Sequence, residues 1–272
     1  MHAASREALE QTRSALQSTL TADPAGGATG AKIGTELFEV VSVLEDNRGL
    51  RVAVADTAAP VDARQDLVRG VFGWKVDQTT LDVVLAAVGQ DWSNPRELRE
   101  GLTLIGREAL LRSAEAQDQL QTVEDELFRL GRIVAGDPTF EQALADRSAQ
   151  PSRKRALLAE VLYGKVTAVT EALASQAVAR PTGMPADDFL EISRQAAGLR
   201  GRSVAVVTSS EPLSEQQSDD LRGRLTTLYG REIAIHNDVD AALLGGVVVR
   251  VGDEIIDGSV AGRLDAMRRT FR

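Results

Sequence analysis

The chain contains no cysteine. Disulfide staples, thiolate nucleophiles and thiolate metal sites are excluded, and a reducing compartment is permitted. Aromatic residues make up only 4% of the 272, so packing must proceed mainly through small and aliphatic side chains. Positive charge is also short: 31 Lys and Arg face 40 Asp and Glu, a net charge of −9. Gripping a phosphate backbone needs a surplus of cations, so nucleic acid is not expected as the main partner. No run approaches the roughly 20 apolar residues of a membrane-spanning helix. The longest candidate, residues 241–249, carries two glycines and reads as a strand. Residues 1–7 are polar and lack the apolar centre of a signal peptide. The expectation is a soluble protein that meets a membrane only through partners.

What is present is a repeat. Shifting the sequence by 90 positions aligns Glu36-Leu37-Phe38 with Glu126-Leu127-Phe128. The alignment continues without a gap through Ala53/Ala143, Asp56/Asp146, Leu67/Leu157, Lys75/Lys165, Thr80/Thr170 and Val88/Val178. Ile33, Leu37, Val40, Val43 and Leu44 correspond to Val123, Leu127, Leu130, Ile133 and Val134, one apolar stripe along a helix in each copy. The glycine-rich residues 23–30 read as an extra loop in the first copy. Helices are expected near 3–20, 30–46, 48–56, 61–72, 77–90 and 95–115, then 119–135, 138–146, 151–162, 166–179 and 186–199. Asn94-Pro95 is a helix start, with Asn94 as cap and Pro95 in the first helical position. The long 95–115 helix serves both copies.

After Ser203 the period changes. Val204-Ala205-Val206-Val207 reads as a buried strand. Ser214-Glu215-Gln216-Gln217 is a capping box, followed by Leu221, Leu225 and Leu228 along one helix face. Ile233 and Ile235 alternate as a second strand. Val247, Val249 and Val251 share one face of a third, Gly252-Asp253 suits a tight turn, and Ile255 and Ile256 begin the return. These valines and isoleucines are the expected core. Ser259 can cap a last helix carrying Val260, Leu264, Met267 and Phe271. The fold class is mainly α: two tandem helical bundles, 1–105 and 106–200, followed by a small C-terminal α/β domain, 201–272.

Nothing in the chain assembles into a catalytic, cofactor or metal site. His236 with Asp238 and Asp240 offers one imidazole and no second His or Cys, so a turn is the better reading. Gly26-Gly27-Ala28-Thr29-Gly30-Ala31-Lys32 lacks the Gly-Lys-Ser/Thr of a phosphate loop and reads as a flexible loop. Gly245-Gly246 opens a strand, where a dinucleotide fingerprint opens a helix, and reads as a bend or a close backbone approach. Arg153-Lys154-Arg155 reads as a solvated helix face. Ser203, Ser209, Ser210 and Ser214 have no base placed for them, and Trp74 and Trp92 read as core or loop packing. What is left is a scaffold: small residues on bundle helices form grooves that receive another amphipathic helix.

Two runs carry a resemblance. Val206-Val207-Thr208-Ser209-Ser210-Glu211-Pro212-Leu213-Ser214 resembles a strand-to-helix signature of the delta subunits of F-type ATP synthases, the bacterial counterparts of the oligomycin-sensitivity-conferring protein. Asp240-Ala241-Ala242-Leu243-Leu244-Gly245-Gly246-Val247-Val248-Val249-Arg250-Val251-Gly252-Asp253-Glu254-Ile255-Ile256-Asp257-Gly258-Ser259 resembles that family's C-terminal signature almost throughout. The likeness extends back through Asp125-Glu126-Leu127-Phe128 and Leu157-Leu158, covering roughly 106–272.

The resemblance implies a six-helix bundle followed by a smaller α/β domain. It implies a non-catalytic stator of the proton-translocating synthase, without cofactor, on the cytoplasmic face of the cell membrane. The bundle would hold N-terminal helices of alpha subunits, and the C-terminal domain the end of the b-subunit stalk. The acidic surface would oppose basic partner helices. Two departures stand out: Ala241 replaces the family's usual proline, and the first bundle is additional. Alpha-subunit contacts are expected on the second copy, along Ala109, Leu110 and Ser113 of the entry helix with Leu173 and Ala177 of the fifth. The rivals are a soluble nucleotide-binding protein using the glycines near 245–258, or an adaptor unrelated to ATP synthase.

Overall fold

The computed structural model describes all residues except 23–25, 180, 182, 200–202, 230–232, 241–242, 244, 252–253 and 261–272. It divides into two compact units, Met1–Ile192 and Ser193–Arg272. The first contains α1 (Ala3–Ala22), α2 (Gly26–Asp46), α3 (Arg48–Val54), α4 (Val61–Phe72), α5 (Gln78–Gly89) and α6 (Pro95–Ala116). It continues through α7 (Leu120–Gly136), α8 (Pro138–Ala145), α9 (Pro151–Leu162) and α10 (Ala168–Ala179), and α11 (Pro185–Leu199) carries the chain into the second unit. Both repeats lie in the first unit as far as Ile192, with α6 common to both.

Local chemistry explains the helix starts. Asn94 Oδ1 accepts the Glu97 amide at 2.9 Å with Pro95 at the head of α6. The side chains of Asn47, Asp77 and Asp137 cap α3, α5 and α8 in the same manner.

The 90-residue repeat is visible in these same devices. Asn47 and Asp137 occupy equivalent positions. Asp56 accepts the Ala58 amide at 3.0 Å, and Asp146 the Ser148 amide at 2.8 Å. Glu36 reaches the Asp77 amide at 2.9 Å, and Glu126 the Thr167 amide at 3.0 Å. In the second copy Glu126 also accepts the hydroxyls of Thr167 and Thr170, at 2.9 and 2.6 Å. Thr80 and Thr170 are both fully buried, as are the cationic side chains Arg64 and Lys154, each 3% exposed. Capping carboxylates and buried cations recurring at one offset are too particular for a chance likeness of apolar helices.

Three expectations need correction in this unit. Residues 26–30 are not loop but the first turns of α2; residues 23–25 lie outside the described residues. The glycines are there because α2 lies directly on α6. A Cβ at Gly30 would come within 2.8 Å of the Ala109 carbonyl, and one at Gly34 within 2.6 Å of Leu110 Cγ. The aromatic pair also separates. Trp92 is core, its indole N–H donating to the Ala87 carbonyl at 2.8 Å, whereas Trp74 is 78% exposed with Lys75 over its ring. Lys154, read as part of a solvated face, is buried, and that desolvation holds its pKa below the usual lysine value.

The second unit holds β1 (Ser203–Ser209), α12 (Glu215–Tyr229), β2 (Ile233–Val239), β3 (Val247–Val251) and β4 (Glu254–Asp257). The sheet order is β2-β1-β3-β4, with β1 parallel to β2 and antiparallel to β3. The capping box forms as read: Ser214 Oγ accepts the Gln217 amide at 3.2 Å, and Gln217 Oε1 accepts the Ser214 amide at 2.9 Å. The core gathers Ala205, Val207, Leu225, Ile233, Val249 and Val251, with Leu213, Leu221, Tyr229 and Ile235 packed against it. The apolar line of α12 is therefore Leu221, Leu225, Tyr229; Leu228 is 66% exposed. Ile255 and Ile256 are likewise outside, because β4 is an edge strand with every residue exposed. Gly245 and Gly246 have φ of +109° and +82°, and a Cβ on Gly246 would lie 2.5 Å from the Gly258 carbonyl. The close backbone approach read from this pair is real. His236 sits buried on β2. The turn expected at 252–253 and the helix expected beyond residue 260 fall outside the described residues.

Candidate partner-docking surfaces

Docking requires exposed side chains, so the first question is where the five expected groove residues lie. Ala109, Leu110 and Ser113 are 0–2% exposed, on the side of α6 covered by α2. Leu173 and Ala177 are 0 and 1% exposed on α10. All five are interior packing. Helical position placed them on one line, but the wall they form faces inward, and a partner can touch only the residues beside them.

Those neighbours form a cleft. It has a volume of about 1270 Å3 and runs between α2, α6 and α10, with the start of α9 at one end. On α6 it is lined by Arg96, Arg99, Glu100, Thr103, Leu104 and Arg107. These positions follow i, i+3, i+4, i+7, i+8 and i+11, a single stripe of the helix surface. From α2 come Phe38, Val41 and Val43; from α10, Ala172, Ser175, Gln176 and Ala179, the row beside Leu173 and Ala177. The sequence contained the arginine stripe, yet spacing alone could not reveal that two further helices wall it in.

The electrostatics of the cleft are uneven. Arg99 pairs with Glu45 at 3.1 Å, and Arg96 with Glu100 at 2.7 Å. Arg51 donates to the Leu44 and Glu45 carbonyls at the end of α2, both at 3.0 Å. Arg107 donates to Gln176 at 2.7 Å, tying α6 to α10. Burial pulls its pKa down, and the charges of Asp188 and Glu191 oppose that fall.

At the same end of α6 a carboxylate anchors the start of the chain. Glu97 Oε1 meets His2 Nδ1 at 2.7 Å, and Glu97 Oε2 accepts the His2 amide at 3.1 Å. Ser5 Oγ accepts the Ser93 amide at 2.9 Å. A hydrogen bond from Ser5, then those from His2, hold the Glu97 pKa at about 2, against 4.5 for a free carboxyl. Asp77, bonded by Lys32 at 2.6 Å and by Thr79, is also held at about 2. Both pKa values are lower in the folded state, so the folded state binds fewer protons over this range. The stabilisation is therefore complete above about pH 4.5 and is lost as pH falls toward 2. Urea midpoints measured at pH 7 and pH 3 should fall with acid, and Glu97→Gln should shrink that fall by weakening the protein mainly at pH 7.

Two aromatics stand at equivalent corners, Trp74 between α4 and α5 and Tyr163 between α9 and α10, at 78% and 86% exposure. Lys75 directly follows Trp74 and Lys165 comes two residues after Tyr163, and the repeat aligns the two lysines.

A family model described as "ATP synthase delta (OSCP) subunit" matches residues 108–271. "ATP synthase subunit delta" of Rhodococcus opacus strain B4 is 55% identical over 275 residues, spanning 100% of this chain and 99% of the relative. The chain belongs to the ATP synthase delta (OSCP) subunit family. Delta subunits of Corynebacterium efficiens and Corynebacterium jeikeium are 53% and 51% identical, each spanning 100% of this chain and 98% and 100% of the relative. A chain of the Toxoplasma gondii mitochondrial ATP synthase hexamer aligns at 20% identity and a TM-score of 0.36, covering 61% of this chain and 94% of that one. The delta (OSCP) match begins at residue 108, inside α6, where the second repeat takes over from the first. The three delta subunits align across the first repeat too, so these relatives share it. Among the described residues, no helix is long and apolar enough to cross a membrane.

Proposed function

We propose that the protein is a non-catalytic stator subunit of a proton-translocating F-type ATP synthase. It links the alpha/beta catalytic head to the b-subunit stalk and is held at the cytoplasmic face of the cell membrane through the complex alone. One observation carries this reading: the delta (OSCP) family match runs from residue 108 to 271, through the second repeat and the α/β unit together. Alpha-subunit N-terminal helices dock on the second repeat, on the accessible residues beside the interior row of Ala109, Leu110, Ser113, Leu173 and Ala177, and b subunits engage the C-terminal unit. Two moderate sites on one chain raise effective concentration and resist lateral load better than either alone. The test is crosslinking of the full chain within purified synthase, with crosslinks mapped to named subunits. Links from the second repeat to alpha and from residues beyond 200 to b are expected. Links to neither, or calorimetric ATP binding by the isolated full chain, would overturn the assignment.

A further inference from the structure

We propose that the cleft between the two repeats is a docking site for an acidic amphipathic helix of a partner subunit; this rests on the stator reading above. The chain as a whole carries a net charge of −9. The cleft inverts that sign: Arg51, Arg96, Arg99, Arg107, Arg147 and Arg155 line it against four carboxylates, Glu39, Glu45, Glu100 and Asp188. Arg147 and Arg155 are exposed at its α9 end. Arg155 Nε reaches only the Pro151 carbonyl, at 3.4 Å, and neither arginine has a carboxylate partner among the described residues. Concentrating cations in a concave surface of an acidic protein focuses a field that draws in anionic partners.

The shape selects a helix over a compact anion. The α6 stripe from Arg96 to Arg107 extends about 16 Å at 1.5 Å per residue, so its charges are strung out along an axis and do not converge on one point. Apolar side chains share the lining with them, Phe38 and Val43 from α2 and Leu104 from α6. Ala172 and Ala179 keep the α10 wall low. An entering helix of about 11–16 residues would lay its apolar stripe on Leu104 and Phe38 and flank it with carboxylates toward Arg147, Arg155 and Arg96. The acidic surface had suggested basic partner helices, and here the requirement is the opposite. The site exists only because the first repeat supplies α2, which gives the added bundle a role in partner choice.

The test uses the full chain and fluorescein-labelled 16-residue peptides tiling the alpha and b subunits of the organism's synthase, read by anisotropy. The tightest binder is expected to be net negative and amphipathic, and to weaken as salt rises. The double charge reversal Arg147→Glu with Arg155→Glu should weaken it about tenfold, because attraction is replaced by repulsion at two exposed positions. Arg153→Glu, exposed on the same segment but outside the cleft lining, should change it less than about twofold. A neutral or basic best binder, or equal effects of Arg153→Glu and the double reversal, overturns the inference and leaves the stator reading standing. Binding of no peptide from either subunit sinks both.

Discussion

Replacing Gly34 with valine should cost about 1–3 kcal/mol of unfolding free energy, with the loss concentrated where α2 meets α6. A Cβ at Gly34 would sit 2.8 Å from the Gly106 carbonyl and 2.6 Å from Leu110 Cγ. The leucine could turn aside, but the carbonyl belongs to the α6 backbone and cannot. The reverse side of the contact is equally tight: a Cβ on Gly106 would lie 2.7 Å from Phe38 Cε1. The helices must therefore separate, and Ala109, Leu110 and Ser113 would lose their cover. Gly70 provides the control. It lies inside α4 with nothing within 4 Å of a Cβ, so Gly70→Ala should gain about 0.5–1 kcal/mol from reduced freedom of the unfolded chain. Urea denaturation followed by circular dichroism reads both. Equal effects of the two substitutions would mean that α2 and α6 do not approach as described.

Glu126→Ala should cost about 2 kcal/mol, and clearly more than Glu36→Ala at the equivalent position. Glu126 gathers the Thr167 amide and the hydroxyls of Thr167 and Thr170 at the start of α10. Removing it leaves these donors part-buried without their acceptor and uncaps the helix that walls the cleft. Glu36 is bonded to a single donor, the Asp77 amide, and Asp77 itself caps α5 through Thr79. The comparison thus tests whether one ancestral device is used more heavily in the second repeat. A Glu126→Ala protein as stable as Glu36→Ala would refute that asymmetry.

Helix limits were largely legible because their causes are local. Asn94-Pro95 and the Ser214–Gln217 box satisfy amides within three residues of themselves, and the structure uses both. The repeat was legible because its 90-residue offset preserves caps as well as apolar stripes. The start of α2 was not, since a glycine chosen for backbone freedom and one chosen for close contact look alike in sequence. Only the distant carbonyl of Ala109 decides between them. That the five groove residues are buried was hidden for a related reason. Along α6, Leu98, Leu102 and Ile105 on one side and Leu111 and Ala114 on the other are all buried, so a helix serving two bundles has no single inward face for periodicity to find. Ile255 and Ile256 show the limit of reading strands by composition. A β-branched pair fits a strand, but its exposure depends on sheet order, which places β4 at the edge.

The shared α6 has no loop between the part that closes the first repeat and the part that opens the second. The two repeats are therefore set in phase like cams on one shaft. Inserting a single residue near its middle would turn one repeat against the other by about 100° and shift it by about 1.5 Å. A change of length therefore disturbs this setting least at the corners between helices, and the angle between the repeats is fixed by a whole number of residues along α6.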